Sequence, residues 1–105
     1  MRDLTSTEEF HELAANSPVV FMFTAGWCPD CRVIDPIMPE VESTFSDYTF
    51  VSVNRDAFLD LCIEKDIYGI PSFLAYANGS ESGRLVSKDR KTQEEIEAFL
   101  SNLSK

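Results

Sequence analysis

The chain is poor in cysteine, histidine, basic residues and long apolar runs. Of its 105 residues only three are cysteine and one is histidine. Three cysteines are too few for the framework of a small disulfide-stapled scaffold, and an odd number leaves at least one thiol without a partner in the chain. That fits a reducing compartment and a transient bond at a reactive site. A four-ligand metal centre would have to recruit Cys28, Cys31, Cys62 and the distant His11, so neither zinc nor iron–sulfur is expected. Nine basic against 18 acidic side chains give a formal charge of −9, which argues against nonspecific binding to nucleic acid. No apolar run approaches the roughly 18 residues of a membrane span, and residues 1–5 open into a polar segment without a signal-peptide core. The expected location is cytoplasmic, with no membrane or nucleic-acid partner.

What is present is ordinary for a globular chain: 44% hydrophobic and 26% charged residues. A chain of this length forms one domain, residues 1–105, burying roughly 65% of the surface its unfolded form exposes. Thr5-x-x-Glu8 is a capping-box pattern opening a helix over residues 5–16, with Phe10, Leu13 and Ala14 on one face. Residues 18–24 are too continuously apolar for a half-exposed strand and should lie inside a sheet. Helical spacing returns over residues 32–45, where Pro36 and Pro39 predict a bend. A strand over 49–54 and a helix over 55–66 follow. Residues 71–77 and 83–86 read as a hairpin closed by Asn78-Gly79, and Thr92-x-x-Glu95 opens a final helix that buries Ile96, Phe99 and Leu100. The pattern predicts an α/β sandwich.

Trp27-Cys28-Pro29-Asp30-Cys31 lies at the turn from the apolar strand into the second helix. Residues three apart in a first helical turn have Cα atoms about 5 Å apart, close enough for a disulfide. Cys28, at or near the N-cap, faces unpaired amide N–H groups and the positive end of the helix dipole, both of which favour thiolate over thiol.

These features together resemble the thioredoxin family. The markers are Trp27 to Cys31, Pro36 five residues on, Gly69-Ile70-Pro71-Ser72-Phe73 before the hairpin, and Asn78-Gly79 at its turn. The resemblance implies a thioredoxin fold, a central mixed sheet of about four to five strands sandwiched by four helices, with the first strand short or missing. It implies a cis peptide bond before Pro71, Cys28 as nucleophile, Cys31 as resolving thiol, and Trp27, Ile70 and Pro71 as a substrate groove. It implies a protein-disulfide reductase without bound cofactor, most simply a monomer, recharged from NADPH by a flavoprotein thioredoxin reductase. The alternatives are a glutaredoxin-like activity, a dedicated peroxidase reductant, or a peptide-binding module without turnover.

The sequence departs from the family pattern at three places. The buried aspartate six residues before the first active cysteine is Met22, and its usual lysine partner corresponds to Ser52. Asp30 is the candidate substitute as proton acceptor for Cys31; equally, it is a favourable acid in a first helical turn. The stretch Val86-Ser87-Lys88-Asp89-Arg90-Lys91 looks longer and more basic than its counterpart, which suggests a narrower substrate range favouring acidic groups near the target disulfide. Cys62 reads as a small core residue, His11 as an exposed helix position, and Phe21, Phe23, Phe45, Phe50, Phe73 and Phe99 as packing.

Overall fold

The computed structural model describes residues 1–103. Five strands form one mixed sheet in the order β1-β3-β2-β4-β5: β1 Arg2–Asp3, β2 Val19–Thr24, β3 Thr49–Asn54, β4 Ser72–Ala77 and β5 Ser80–Leu85. β1, β3 and β2 run parallel; β4 and β5 are antiparallel to their neighbours. The first strand is only two residues long. β2 is central and buried along nearly its whole length, as its unbroken apolar run requires.

Period-two alternation divides the core between the two sheet faces. Val19, Phe21 and Phe23 point to one face, where they pack with Phe10, Leu61, Cys62 and Leu74. Val20 and Met22 point to the other, against Ile34, Met38, Val41, Phe73, Ile96 and Leu100. The first face is covered by α1 (Thr7–Asn16) and α4 (Leu59–Glu64). The second is covered by α5 (Gln93–Ser101) and a broken helix made of α2 (Pro29–Ile34), a 3-10 turn (Asp35–Ile37) and α3 (Met38–Thr44).

Several boundaries differ from the sequence reading. α1 is capped by Ser6, not Thr5: the Ser6 hydroxyl accepts the Glu9 N–H at 3.0 Å, and the Glu9 carboxylate turns back onto the Thr5 N–H at 2.9 Å. The second helix starts at Pro29, three residues earlier than apolar periodicity suggested, because proline is well suited to a first helical position. The expected bend lies at Asp35–Ile37, which contains Pro36 and ends two residues before Pro39. α4 begins only at Leu59, because the Asn54 side-chain oxygen accepts the Asp56 and Ala57 N–H groups and holds residues 54–57 in a turn. β5 is longer than expected, starting directly after Asn78 and Gly79, whose φ values of 56° and 81° suit a tight hairpin. Thr92 and Glu95 do form the capping box of α5.

Candidate active site

β2 ends at Thr24, and the chain turns through Ala25, Gly26 and Trp27 into α2. Cys28 is the N-cap, and its Sγ accepts the Cys31 N–H at 3.2 Å. A helix-start amide without an intrahelical partner therefore points at the Cys28 sulfur. Both thiols are free, and Cys28 and Cys31 are almost wholly buried, packed with Ala25 and Ile70. The Cys28 thiol lies 3.9 Å from the Ile70 carbonyl oxygen, and the Ile70–Pro71 peptide is cis.

Cys31 has a different environment. Burial, then a hydrogen bond and negative charge from Cys28, push its pKa up to about 11, while the Thr24 hydroxyl and the Ala25 backbone pull it down. The two raising effects that come from Cys28 require a thiol or thiolate there. Once Cys28 is tied up in a disulfide, its charge is gone and burial is the main obstacle left to ionising Cys31. Thr24 also lines an open pocket of about 350 Å³ with Asp3, Ser52 and Asn54.

The other expected site residues are gathered nearby. Trp27 is 57% exposed, yet it is held: its Nε1–H donates to Asp56 at 2.8 Å, and the Arg55 guanidinium sits 5.7 Å from its ring centroid. Asp30 is paired through Oδ1 with Arg90 at 2.9 Å, across 60 residues of sequence. Met22 and Ser52 are register partners on adjacent strands, and Met22 is a buried core residue. The site has the apolar packing of that position in place of a buried charge pair.

Sequence reasoning gave no role to Thr24, and took Gly69 only as a marker and Arg90 and Lys91 only as part of a basic loop. Gly69 packs so tightly on the loop after β5 that a Cβ there would stand 2.2 Å from the Ser87 carbonyl oxygen. The basic character expected of that loop is largely absorbed within the protein. Arg90 is paired with Asp30, Lys91 is 2% exposed, and Lys88 is exposed. The only available signals were a glycine next to Ile70-Pro71 and an apolar-to-basic change in composition.

The thioredoxin family model matches residues 2–102. The chain belongs to the thioredoxin family. It is 36% identical over 78 residues to Thioredoxin-3 of Dictyostelium discoideum, covering 74% of this chain and 75% of that protein. It is 28% identical over 102 residues to Thioredoxin-1 of Schizosaccharomyces pombe, covering 95% and 99%. The crystal structure of oxidised mitochondrial thioredoxin 3 from Saccharomyces cerevisiae superposes with a TM-score of 0.86 at 23% identity, over 98% of this chain and 95% of that one, a likeness of fold. The five-stranded mixed sheet with its four helices, counting the broken one once, is the thioredoxin fold. Members of the thioredoxin family are disulfide oxidoreductases and carry no bound cofactor. Among the described residues, no cluster of His, Cys, Asp and Glu could hold a metal ion, and no helix is long and apolar enough to cross a membrane.

Proposed function

We propose that this protein reduces disulfides in protein substrates through a reversible Cys28–Cys31 dithiol–disulfide couple. The observation that carries the reading is the pair itself: two free thiols one helical turn apart, the first an N-cap whose sulfur already accepts an amide N–H. The Cys28 thiolate attacks one sulfur of the substrate disulfide. The first substrate sulfur leaves as thiolate, and a mixed disulfide joins Cys28 to the second. Cys31, no longer facing a charged Cys28, ionises and attacks the Cys28 sulfur. The second substrate thiolate leaves, and two electrons have passed from the protein to the substrate.

Asp30 is the assigned acceptor for the Cys31 proton, directly or through water; Arg90 engages Oδ1, leaving Oδ2 for that role. Trp27, Ile70 and Pro71 form the wall on which an extended substrate segment docks. The substrate range is narrower than that of a general thioredoxin, with Lys88 favouring acidic groups near the target bond. Electrons come from NADPH through a flavoprotein thioredoxin reductase. The working form is a cytoplasmic monomer of one domain.

The test is NADPH consumption in the presence of a thioredoxin reductase from the same source and a protein disulfide, with Cys28→Ser as control. Turnover that disappears in the control supports the reading. With the reductase shown active on another thioredoxin, absence of turnover by the unmodified protein overturns it. A Cys31→Ser variant adds an independent check, since a reductase accumulates mixed disulfides with its substrates and a noncatalytic binding module does not.

A further inference from the structure

Three arginines gather on the cysteine-bearing turn of a chain whose formal charge is −9. Arg32, one turn beyond Cys28 in α2, reaches back so that its Nε and Nη2 donate to the Gly26 carbonyl at 3.1 and 2.7 Å. Arg55 lies against the Trp27 ring and pairs with Asp56. Arg90, from the loop after β5, donates through Nε to Asp30 at 2.9 Å. Each guanidinium is therefore fixed on a residue within two positions of Cys28: Gly26, Trp27 and Asp30.

The charges on this turn do not cancel. Asp56 and Asp30 are matched by Arg55 and Arg90. Arg32 is held by a carbonyl, which carries no net charge, and it forms no ion pair among the described residues. Arg32 is exposed, and the Arg90 side chain is 61% exposed. A guanidinium has five N–H donors, so the contacts above leave donors on both arginines for a ligand. Arg90 is also fixed from behind. Its neighbour Lys91 is 2% exposed, with its ammonium on the Ser87 and Asp89 carbonyl oxygens, each at 2.8 Å. Arginines placed in advance lose little further side-chain freedom on meeting a carboxylate, whose geometry their planar fork matches. The negative charge elsewhere on the chain acts weakly here, because interactions between exposed charges beyond about 10 Å are screened at about 0.1 M salt.

We propose that Arg32 and Arg90 are specificity-determining residues that bind substrate carboxylates on either side of the target cysteine. The proposal rests on the disulfide-reductase reading and names its substrate class: a disulfide-bonded cysteine with Asp or Glu two residues before it and two residues after it. In an extended segment those positions share the face of the cysteine and stand about 7 Å from it.

The experiment measures kcat/KM, coupled to NADPH consumption at about 0.1 M salt, for two disulfide-bonded peptides that differ only in Glu or Gln at those two positions. The Glu peptide is expected to be favoured at least about fourfold, from two arginine–carboxylate contacts worth about two- to fivefold each. Arg32→Gln and Arg90→Gln should each lower the preference about two- to fivefold, and the double variant should abolish it. Arg2→Gln, which removes the same charge from an exposed side chain of β1, should leave it in place. The preference is a ratio for two substrates, so an effect of a substitution on the thiols themselves cancels. No preference by the unmodified protein, a preference that survives the double substitution, or an equal loss on Arg2→Gln overturns the proposal.

A second measurement needs neither a disulfide nor an arginine variant. In a Cys31→Ser protein, Cys28 is alkylated with iodoacetate, an anion, and with iodoacetamide, its neutral counterpart. The ratio of the two rates, relative to that of N-acetylcysteine amide in solution, should be raised about two- to fivefold by the arginines. A ratio at or below that of the free thiol overturns the proposal. A raised ratio without NADPH turnover leaves the anion site standing and counts against the reductase reading alone.

Discussion

Gly69→Ala tests how tightly the loop after β5 is docked on the active site. The φ of Gly69 lies outside the left-handed region, so space alone decides the outcome. The added Cβ would meet the Ser87 oxygen at 2.2 Å, the Ser87 carbonyl carbon at 2.6 Å and Lys88 Cα at 2.8 Å. All three are backbone atoms, so no side-chain rotation relieves the clash. Reaching ordinary contact requires the loop to withdraw by about 1 Å. The same Ser87 oxygen accepts the Lys91 ammonium, so withdrawal strains a hydrogen bond to a buried charge. Overpacking of this kind costs about 1–3 kcal/mol, and weakening a charged hydrogen bond adds about 1.5 kcal/mol or more. The restriction that alanine places on the unfolded chain returns only about 0.4–1 kcal/mol. A net loss of about 2 kcal/mol corresponds to a Tm lower by about 8–16 °C at this chain length. Thermal unfolding of the reduced protein, followed by circular dichroism, measures it directly. A Tm unchanged or raised would refute the claim that Gly69 is required for close approach.

Three further expectations concern individual contacts. Thr24→Val removes the hydroxyl that favours Cys31 ionisation; release of substrate from a preformed mixed disulfide should slow about tenfold, as for one lost hydrogen bond to a charged group, in stopped-flow measurements at neutral pH. Asp30→Asn should change the pH dependence of that same step; an unchanged profile would leave Asp30 only its contact with Arg90. Arg84 holds the Glu81 carboxyl below its usual 4.5, so this pair's stabilisation is present above the unfolded value and is lost as pH falls through the folded one. The pair is partly exposed, so Glu81→Gln should flatten the acid side of a stability–pH curve by only about 0.2–1 kcal/mol, read by urea unfolding.

The features legible in the sequence are those set by neighbours along the chain. A continuous apolar run placed β2 and apolar alternation placed β3, a proline pair placed the bend before α3, and Asn78-Gly79 placed the hairpin turn. The cysteine pair was legible because its chemistry depends on one helical turn and the residue types within it. What escaped depends on groups that only tertiary structure brings together. Arg90 meets Asp30 across 60 positions, and nothing in a run of basic residues distinguishes a lysine buried on two loop carbonyls from one in solvent. Thr24 looked like the last residue of a strand; its contact with Cys31 arises because the chain folds back through Ala25 to Cys28. The cap of α1 fell one residue from the expected place because Thr5 and Ser6, and likewise Glu8 and Glu9, offer the same chemistry in adjacent registers.

The restraint on Trp27 has an entropic consequence. An exposed indole would ordinarily sample several rotamers and lose that freedom when a partner covers it, at about 0.5–1.5 kcal/mol for an immobilised side chain. Asp56 and Arg55 impose most of that order before any partner arrives. For a substrate docking on the proposed wall, an indole ordered beforehand would correspond to roughly a two- to tenfold gain in affinity from rigidity alone. Because neither Asp56 nor Arg55 belongs to the cysteine-bearing turn, that gain can be altered without changing the chemistry of either thiol.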